Sequence, residues 1–511
     1  MSFLGGLVLG IGMRAGDIMF GPAVSALKVV GTQILGLGCL GVASYGAYQM
    51  YIESRYKTPF AMYLDSHWEE FDVYKEKTTF TGEKKKITPD YIGEEKVTDY
   101  LYRAYFKLPV GMSIKDVEEK IPAIELALNA EVDVFRKDDK CVLEFSTGHL
   151  RYEEMYDIRS VLDIPLKENG KPYILPLSVG HSKRGFQYID LADYPHLLIG
   201  GQTGGGKSVF LRQALMTLLH ALPPEKLKMN MIDLKGGLEF KLFNETPHVE
   251  SIAKNLYEAL SIIYELEQEM EHRFEVLFHA GPEVEKIATY NELMEEQLPY
   301  IVLCIDEFAE LSPEEVGKDE IDSAPPEFAP LLIELGLFDP SRAKKGQGVT
   351  VKLKDLLTMI HSKVSRLLRL ARAVGIHVIL ATQRPDAKVL PGQSKQNIPS
   401  TVAFKVRNRI NSQILLDSDS AAVNIPPGVA GRCIFQIGHI ETEVQVPYLS
   451  TKEARVLLEE LAEDLMAKKL EEAIKGTPIQ YHLNLIEKEG TVIPYENEDN
   501  NIKETRKREV G

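Results

Sequence analysis

The chain has 511 residues, enough for about two to four domains and for a sizeable apolar core. Hydrophobic residues make up 44% and charged residues 26%, as in ordinary globular proteins. The net charge of −16 argues against a protein whose whole surface binds nucleic acid, although it leaves room for a locally basic channel. The four cysteines are far apart and show no C-x-x-C spacing, so the sequence suggests reduced, buried thiols and neither a disulfide scaffold nor a zinc site.

An uncharged stretch near the start, "VVGTQILGLGCLGVASYGAY" (29–48), predicts a transmembrane helix. About 20 residues rising 1.5 Å each cross a hydrocarbon core of about 30 Å. Charged residues precede the stretch and no clear A-x-A cleavage site follows it, which disfavours a signal peptide. The apolar piece 3–13 is too short to span alone, so a second span stays open. We therefore predict a membrane anchor within residues 1–56.

The next two segments predict a small domain and its connection to the membrane. Residues 57–99 are polar and aromatic, with a lysine run at 84–86, and predict a juxtamembrane segment with weak structure. Residues 100–170 then contain alternating, strand-like runs and a helix that begins after Ser113. They predict a small α+β domain.

Residues 171–450 alternate between strand and helix patterns, which predicts an α/β domain with a mostly parallel sheet. The predicted strands are 196–200, 229–234, 301–306, 377–382, 401–406, 432–437 and 442–446, with a long helix at 253–278. The segment 312–354 is rich in proline, glycine and charge and predicts an insertion or a long loop. Residues 451–511 predict a charged helix followed by a disordered tail.

The stretch "IGGQTGGGKSVF" (199–210) contains the pattern G-x-x-x-x-G-K-[ST] between an apolar strand and a helix. Glycines let backbone N–H groups approach phosphate oxygens, and the helix N-terminus adds a positive dipole. The stretch therefore predicts a binding loop for ATP, with Lys207 on the β- and γ-phosphates and Ser208 on Mg²⁺. The predicted binding residues are Gly201, Gln202, Thr203, Gly204, Gly205, Gly206, Lys207, Ser208 and Val209.

Two further strands end in polar residues that fit the same chemistry. "YIVLCIDEFAEL" (300–311) runs from an apolar strand into Asp306 and Glu307. Unpaired buried charge is unfavourable, and Mg²⁺ beside Asp306 gives the carboxylate a partner. Glu307 is expected to polarise the attacking water. "HVILATQRP" (377–385) ends near Gln383, which could sense the γ-phosphate. The predicted catalytic residues are Lys207, Glu307 and Gln383, and the predicted metal ligands are Ser208 and Asp306.

The order of these motifs, from about residue 175 to 450, resembles that of the FtsK/SpoIIIE DNA translocases. "MIDLKGGLEF" is similar to the family element I-D-P-K-x-x-E-[LF] through Asp233, Lys235 and Glu239. The resemblance implies a RecA-like P-loop ATPase core in a hexameric homo-oligomer around DNA, with ATP and Mg²⁺ between subunits. Together with the predicted span at 29–48, an ATPase of this kind is expected in the cell membrane with its ATPase domain in the cytoplasm, where ATP is.

The resemblance also raises the question of which arginine acts in trans, and where DNA would bind. Gln413 stands where the family often has arginine, so the candidates for a trans-acting arginine are Arg384, Arg407 and Arg409. Basic residues concentrate at 341–354 and 384–409, where loops could contact phosphates without reading sequence. A solvated charged surface remains the alternative for either run. The candidate DNA contacts are Lys344, Lys345, Lys388 and Lys395.

A short, membrane-anchored chain with this domain order is similar to the TcpA-like coupling ATPases of Gram-positive conjugative elements. That resemblance implies transport of DNA, with its bound relaxase, into a transfer channel. A chromosome segregation or sporulation translocase is an alternative, disfavoured by the little room for a winged helix after residue 450. A type VII-like protein secretion ATPase is another, disfavoured by a single visible Walker pair. Intact Lys207, Asp306 and Glu307 disfavour a non-hydrolysing scaffold.

Overall fold

A computed structural model describes most of the chain between residues 55 and 475. The described residues are 55–56, 58–146, 158–167, 169–318, 320–342, 348–390 and 392–475. They fall into two compact units, one of residues up to 146 together with 183–185, the other of the remaining residues from 158 onward. No helix within these ranges is long and apolar enough to cross a membrane. The predicted span 29–48 and the predicted tail after residue 475 lie outside them.

The first unit has a four-stranded antiparallel sheet in the order β3-β4-β6-β5 and a separate two-stranded antiparallel ribbon, β1-β2. Its elements, in chain order, are α1 (Pro59–His67), β1 (Lys75–Thr78), β2 (Lys84–Ile87), β3 (Asp90–Lys96), β4 (Leu101–Lys107), α2 (Ile114–Glu118), α3 (Ile121–Leu128), β5 (Glu131–Lys137) and β6 (Lys140–Ser146). The predicted α+β character of the region after residue 100 is present in this unit.

The prediction of weak structure for residues 57–99 is wrong for residues 58–96. Helix α1 is capped by Thr58, whose hydroxyl accepts the N–H of Ala61, and one face of the helix packs into the core. Trp68 is only 1% exposed and meets the ring of Phe106 edge-on, with centroids 5.0 Å apart. Strand β3 pairs with β4 along its length. A few large apolar side chains at helical spacing outweigh the polar composition of this stretch.

The second unit is built on a ten-stranded sheet in the order β11-β10-β12-β15-β9-β16-β17-β18-β7-β8. Its strands are β7 (Pro176–Ser182), β8 (Gly185–Asp190), β9 (His196–Gly200), β10 (Leu227–Ile232), β11 (Val249–Ala253), β12 (Tyr300–Ile305), β13 (Ile321–Ser323), β14 (Thr350–Lys352), β15 (Ile376–Thr382), β16 (Ser400–Phe404), β17 (Arg432–Ile437) and β18 (Ile440–Gln445), of which β13 and β14 form a separate antiparallel pair. The six strands from β11 to β16 are mutually parallel.

Helices cover both faces of this sheet. They are α4 (Ile158–Leu162), α5 (Lys207–Ala221), α6 (Leu256–Ala280), α7 (Ile287–Leu293), α8 (Ala329–Glu334), α9 (Leu353–Leu370), α10 (Gly392–Lys395), α11 (Arg409–Leu416), α12 (Ser420–Val423) and α13 (Thr451–Lys475). Along β12, Ile301 and Leu303 pack in a cluster with α6 and α9, whereas Val302 and Cys304 pack in a cluster with α5. Burial on both faces explains the continuous apolar runs of the parallel strands.

The sequence-based expectation of an α/β domain with a largely parallel sheet is confirmed. The seven predicted strands all occur, displaced by at most a few residues, and the long predicted helix is α6. Strands β7, β8 and β11 were not anticipated. The segment 312–354 contains the β13–β14 pair and α8 among its described residues. Lys344 and Lys345 lie outside the described residues.

Unfolding of the first unit can be followed with Trp68, because the chain has one tryptophan. Leu64→Ala empties a fully buried site on α1 and is expected to destabilise the unit by about 2–5 kcal/mol. The matched change Leu126→Ala, on an 87% exposed residue of α3, is expected to shift stability by less than about 0.5 kcal/mol. Urea titrations read by tryptophan fluorescence compare the two. Coincident titration curves for both variants would contradict a packed α1.

Candidate active site

The glycine loop lies at the carboxyl end of the sheet, between the ends of two strands that flank β9. The N–H of Gly201 donates to the Thr382 carbonyl at the end of β15 (3.3 Å), and the N–H of Gln202 donates to the Lys405 carbonyl after β16 (3.0 Å). The loop ends at Gly206, the residue that precedes α5. It is therefore held from both sides, and the N-terminus of α5 follows it directly.

Two positions in the loop leave no room for a side chain. Gly206 has φ +116°, and a Cβ there would lie 2.9 Å from the backbone of Gly431. A Cβ on Gly201 would lie 2.5 Å from the Cβ of Phe404. The positive φ requires glycine at position 206, and the close approach of neighbouring atoms requires glycine at both positions. The resulting loop exposes main-chain groups, as a phosphate cradle needs.

Lys207 opens α5 and is 5% exposed. Its Nζ donates to the Asp306 carboxylate at 2.9 Å and also to the Asp306 main-chain carbonyl. Asp306 follows the last residue of β12 and is 2% exposed. Because an isolated buried charge is strongly unfavourable, each group provides the oppositely charged partner that the other needs. The structure thus brings together the predicted phosphate ligand and the predicted metal ligand.

Glu307 is 6% exposed and its carboxylate orientation is set by three neighbours. Oε1 accepts the hydroxyl of Thr382 (2.8 Å) and Oε2 accepts the Lys235 ammonium (3.3 Å). The N–H of Gln383 donates to both oxygens, at 3.0 and 3.1 Å. Such a carboxylate is preorganised, since donors on two different segments fix its direction. The sequence identified Thr382 only as a strand end and gave it no role.

Gln383 also contacts the glycine loop. The hydroxyl of Thr203 donates to the Gln383 side-chain oxygen at 2.7 Å. Gln383 therefore links the loop to Glu307, through its side chain on one side and its backbone on the other. This is the position that a residue reporting on bound phosphate would need, although its sensing role remains a prediction.

The turn at 233–240 contacts both Glu307 and Ser208. Asp233 is buried, and its carboxylate accepts the N–H of Lys235 (3.0 Å) and of Glu239 (2.9 Å). Glu239 in turn accepts the Ser208 hydroxyl at 3.0 Å. One turn therefore places a cation on Glu307 and an anion on Ser208. The sequence named these residues only as a family-like element, without assigning contacts.

The arrangement fits a magnesium-bound triphosphate. Ser208 directly follows Lys207, and Asp306 contacts Lys207, so hydroxyl and carboxylate oxygens lie at the start of α5. Oxygen ligands of this kind are those that Mg²⁺ prefers. The loop amides and the helix N-terminus suit phosphate oxygens. Ser208 and Asp306 are therefore the residues that would hold the metal.

The thiol beside this site is a packing residue. Cys304 is fully buried in β12, and burial raises the pKa of its thiol well above the ordinary value. Cys141 and Cys433 are also buried and unpaired by disulfides among the described residues. These thiols therefore stay uncharged and fill space.

The predicted arginines lie at the same edge of the sheet as the loop. Strands β15, β9 and β16 are parallel, so their carboxyl ends meet there, and Arg384 and Arg407 follow two of them. Both are exposed, as is Arg409, which faces Asp419 at 3.5 Å. Their action in trans remains a prediction, as it concerns a neighbouring subunit.

The described DNA-contact candidates differ in their surroundings. Lys388 is exposed near the end of the sheet. Lys395 is mostly buried and pairs with Asp417 at 2.7 Å, so its charge is already partly neutralised. Of these two, Lys388 is better placed to meet a phosphate.

Comparison with known proteins identifies relatives of the second unit. Residues 167–387 match the FtsK/SpoIIIE family. The chain is 32% identical over 284 residues to the DNA translocase FtsK of Campylobacter jejuni, covering 54% of this chain and 25% of that protein. It is 32% identical over 281 residues to the DNA translocase FtsK of Haemophilus influenzae, covering 53% and 48%. The chain thus spans between a quarter and a half of these relatives.

One solved structure resembles the chain over a larger share of its length. The pCW3 conjugation coupling protein TcpA, solved as a monomer with ATPgS, is 24% identical with a TM-score of 0.48. The match covers 79% of this chain and 99% of that one.

Thr382→Val tests the support of Glu307. The change keeps the shape of the side chain and removes a hydrogen bond to a buried charge, worth about 1.5–3 kcal/mol, together with the acceptor of the Arg384 N–H. Turnover of ATP is expected to fall about 10- to 100-fold, while ATP affinity stays within about twofold. Thr401→Val, on a buried threonine of β16, is the matched control. Steady-state kinetics and nucleotide titration separate the two effects. Unchanged turnover in Thr382→Val would show that Glu307 needs no such support.

Proposed function

We propose that the chain is an ATP-driven motor that moves DNA, because residues 167–387 match the FtsK/SpoIIIE family. The observation that carries the proposal is the meeting of Lys207, Asp306 and Glu307 at the end of β12, beside a glycine loop with no room for side chains. The family match supports the ATPase chemistry. DNA as the moved substrate is supported by the names of the relatives.

We expect the residues of this chain to have the following roles in hydrolysis. Loop amides and Lys207 bind the β- and γ-phosphates and offset negative charge as it shifts toward the leaving oxygen. Glu307 orients a water and accepts its proton, with Thr382 and Gln383 fixing the carboxylate. Ser208 and Asp306 would hold Mg²⁺, which would supply positive charge against the phosphates.

We propose a ring of identical subunits, most simply a hexamer, with ATP at each contact between neighbours. The support from this chain is the edge of the sheet where the loop lies, which also presents exposed Arg384 and Arg407. An arginine from a neighbour can stabilise transition-state charge at such a site. In this arrangement Gln383 would transmit the state of the phosphates to the adjoining Arg384.

Within that function, we propose a role in conjugative transfer, with the chain held at the cell membrane, its motor in the cytoplasm, and relaxase and channel proteins as partners. The sequence supports this through the order of apolar segment, small domain and motor. Chromosome segregation is a second candidate, favoured by the names of the curated relatives, each a DNA translocase FtsK. A type VII-like secretion ATPase is the candidate from another class.

Two substitutions test the nucleotide site. Lys207→Ala is expected to abolish nucleotide binding, whereas Glu307→Gln should retain ATP and lose at least about 100-fold in turnover. Lys226→Ala, on an exposed lysine just before β10, is the matched control. Binding is measured by nucleotide titration and turnover by phosphate release. Normal hydrolysis by Glu307→Gln would show that another residue orients the attacking water.

The same assay identifies the moved substrate. Duplex or single-stranded DNA is expected to stimulate the wild-type turnover at low salt, and the stimulation should fall steeply as salt rises. Stimulation is expected to be absent in Lys207→Ala. If neither form of DNA stimulates at low salt while a secreted polypeptide does, the secretion alternative replaces DNA translocation.

Experiments in cells can distinguish conjugative transfer from chromosome segregation. Donor cells that carry Lys207→Ala are expected to lose transfer of the mobile element, while growth and nucleoid partition match those of the wild type. Donors with Lys226→Ala should transfer normally. Normal transfer together with a partition defect in Lys207→Ala would favour the chromosome role.

A further inference from the structure

The ribbon β1–β2 in the first unit has a surface that the motor function does not use. Its sequence from 75 to 87, "KEKTTFTGEKKKI", contains five lysines and two glutamates. We propose that this ribbon is a docking surface for an anionic lipid bilayer, with Phe80 entering the interface and the lysines on the headgroup phosphates. The proposal goes beyond ATP hydrolysis and does not depend on it.

The turn of the ribbon presents Phe80 to solvent in an ordered conformation. Phe80 is fully exposed. The flanking turn is closed by hydrogen bonds from the N–H of Thr79 to the Glu83 carbonyl (2.8 Å) and from the N–H of Gly82 to the Thr79 carbonyl (2.9 Å). An aromatic side chain at the tip of a fixed turn loses little conformational freedom when it enters an apolar medium. Such a residue is suited to insert, and it has no role in the core.

Like charges face each other across the ribbon. In the antiparallel register Lys77 lies directly opposite Lys85, and directly opposite residues share a face. Like-charged pairs in that position are destabilising. No carboxylate among the described residues forms an ion pair with Lys77 or Lys85. A negatively charged surface would remove this repulsion.

The other lysines are already paired. Lys84 contacts Glu76 at 2.9 Å, Lys86 contacts Glu69 at 3.4 Å, and Lys75 lies 3.6 Å from Asp116. Lys75 shares a face with Lys77 and Lys85, but its partner lies at the end of the ribbon away from the turn, so Lys77 and Lys85 stay available to an external anion. The uncompensated charge therefore lies beside the apolar tip.

Two observations favour a bilayer over the phosphates of DNA. A duplex backbone offers charge but no apolar medium for Phe80, whereas a bilayer interface offers both. The uncharged stretch 29–48 also ends seven residues before Arg55, where the described chain begins. Seven residues reach at most about 25 Å, so a membrane anchor at 29–48 would hold this unit close to the lipid surface.

The test uses the full chain in vesicles and a tryptophan introduced at the tip. Phe80→Trp is compared with Val110→Trp, which places the same probe at another fully exposed position of the first unit. Trp68 is buried and gives a constant background, measured in the parent chain. Brominated lipids quench tryptophan that enters the bilayer. Quenching of the residue 80 probe is expected in phosphatidylglycerol vesicles, and it should be weaker in phosphatidylcholine vesicles and at high salt.

Charge removal is tested in the Phe80→Trp chain. Lys77→Gln with Lys85→Gln is expected to remove at least about half of the quenching in anionic vesicles. Lys107→Gln with Lys137→Gln, on exposed lysines of β4 and β5, should leave quenching unchanged.

Three results would overturn the proposal. One is equal quenching, or none, at positions 80 and 110. Another is quenching at position 80 that is indifferent to lipid charge and to Lys77 and Lys85. The third is a change in tryptophan emission at position 80 with duplex DNA but not with anionic vesicles, which would make the ribbon a DNA contact.

Discussion

Everything at the candidate active site depends on burying charge at the carboxyl end of a parallel sheet and pairing each charge there. Lys207, Asp306, Glu307 and Asp233 are all nearly inaccessible to water. Each is held by a charged partner or by backbone N–H groups. Pairs of this kind contribute little net stability, since desolvation opposes their attraction. The pairs instead fix the orientation of these side chains, because the paired groups can occupy few other positions.

The order of the strands explains how distant segments meet. Strand β12 delivers the two acids, β15 delivers Thr382 and Gln383, and β9 delivers the loop, and these three are neighbours in the sheet. Their spacing along the chain is large, yet parallel pairing brings their carboxyl ends to one edge.

The central strands and the glycine loop could be predicted from the sequence because their signals are local. Strands buried on both faces appear as unbroken apolar runs, and the loop has a fixed glycine pattern. Edge strand β8 and the short β11 lack such runs, since only part of each is buried. The bond from Thr382 to Glu307 could not be predicted, because it joins residues 75 positions apart. Helix α1 was missed because the longer segment 57–99 is largely polar, although three residues of the helix, Leu64 among them, are buried.

The turn held by Asp233 contacts two different functional side chains of the site. Lys235 touches the acid expected to orient water, and Glu239 touches the hydroxyl expected to meet the metal. A displacement of this single turn would alter affinity and turnover together. Because both contacts come from one turn, the orientation of Glu307 and the environment of Ser208 are coupled through it.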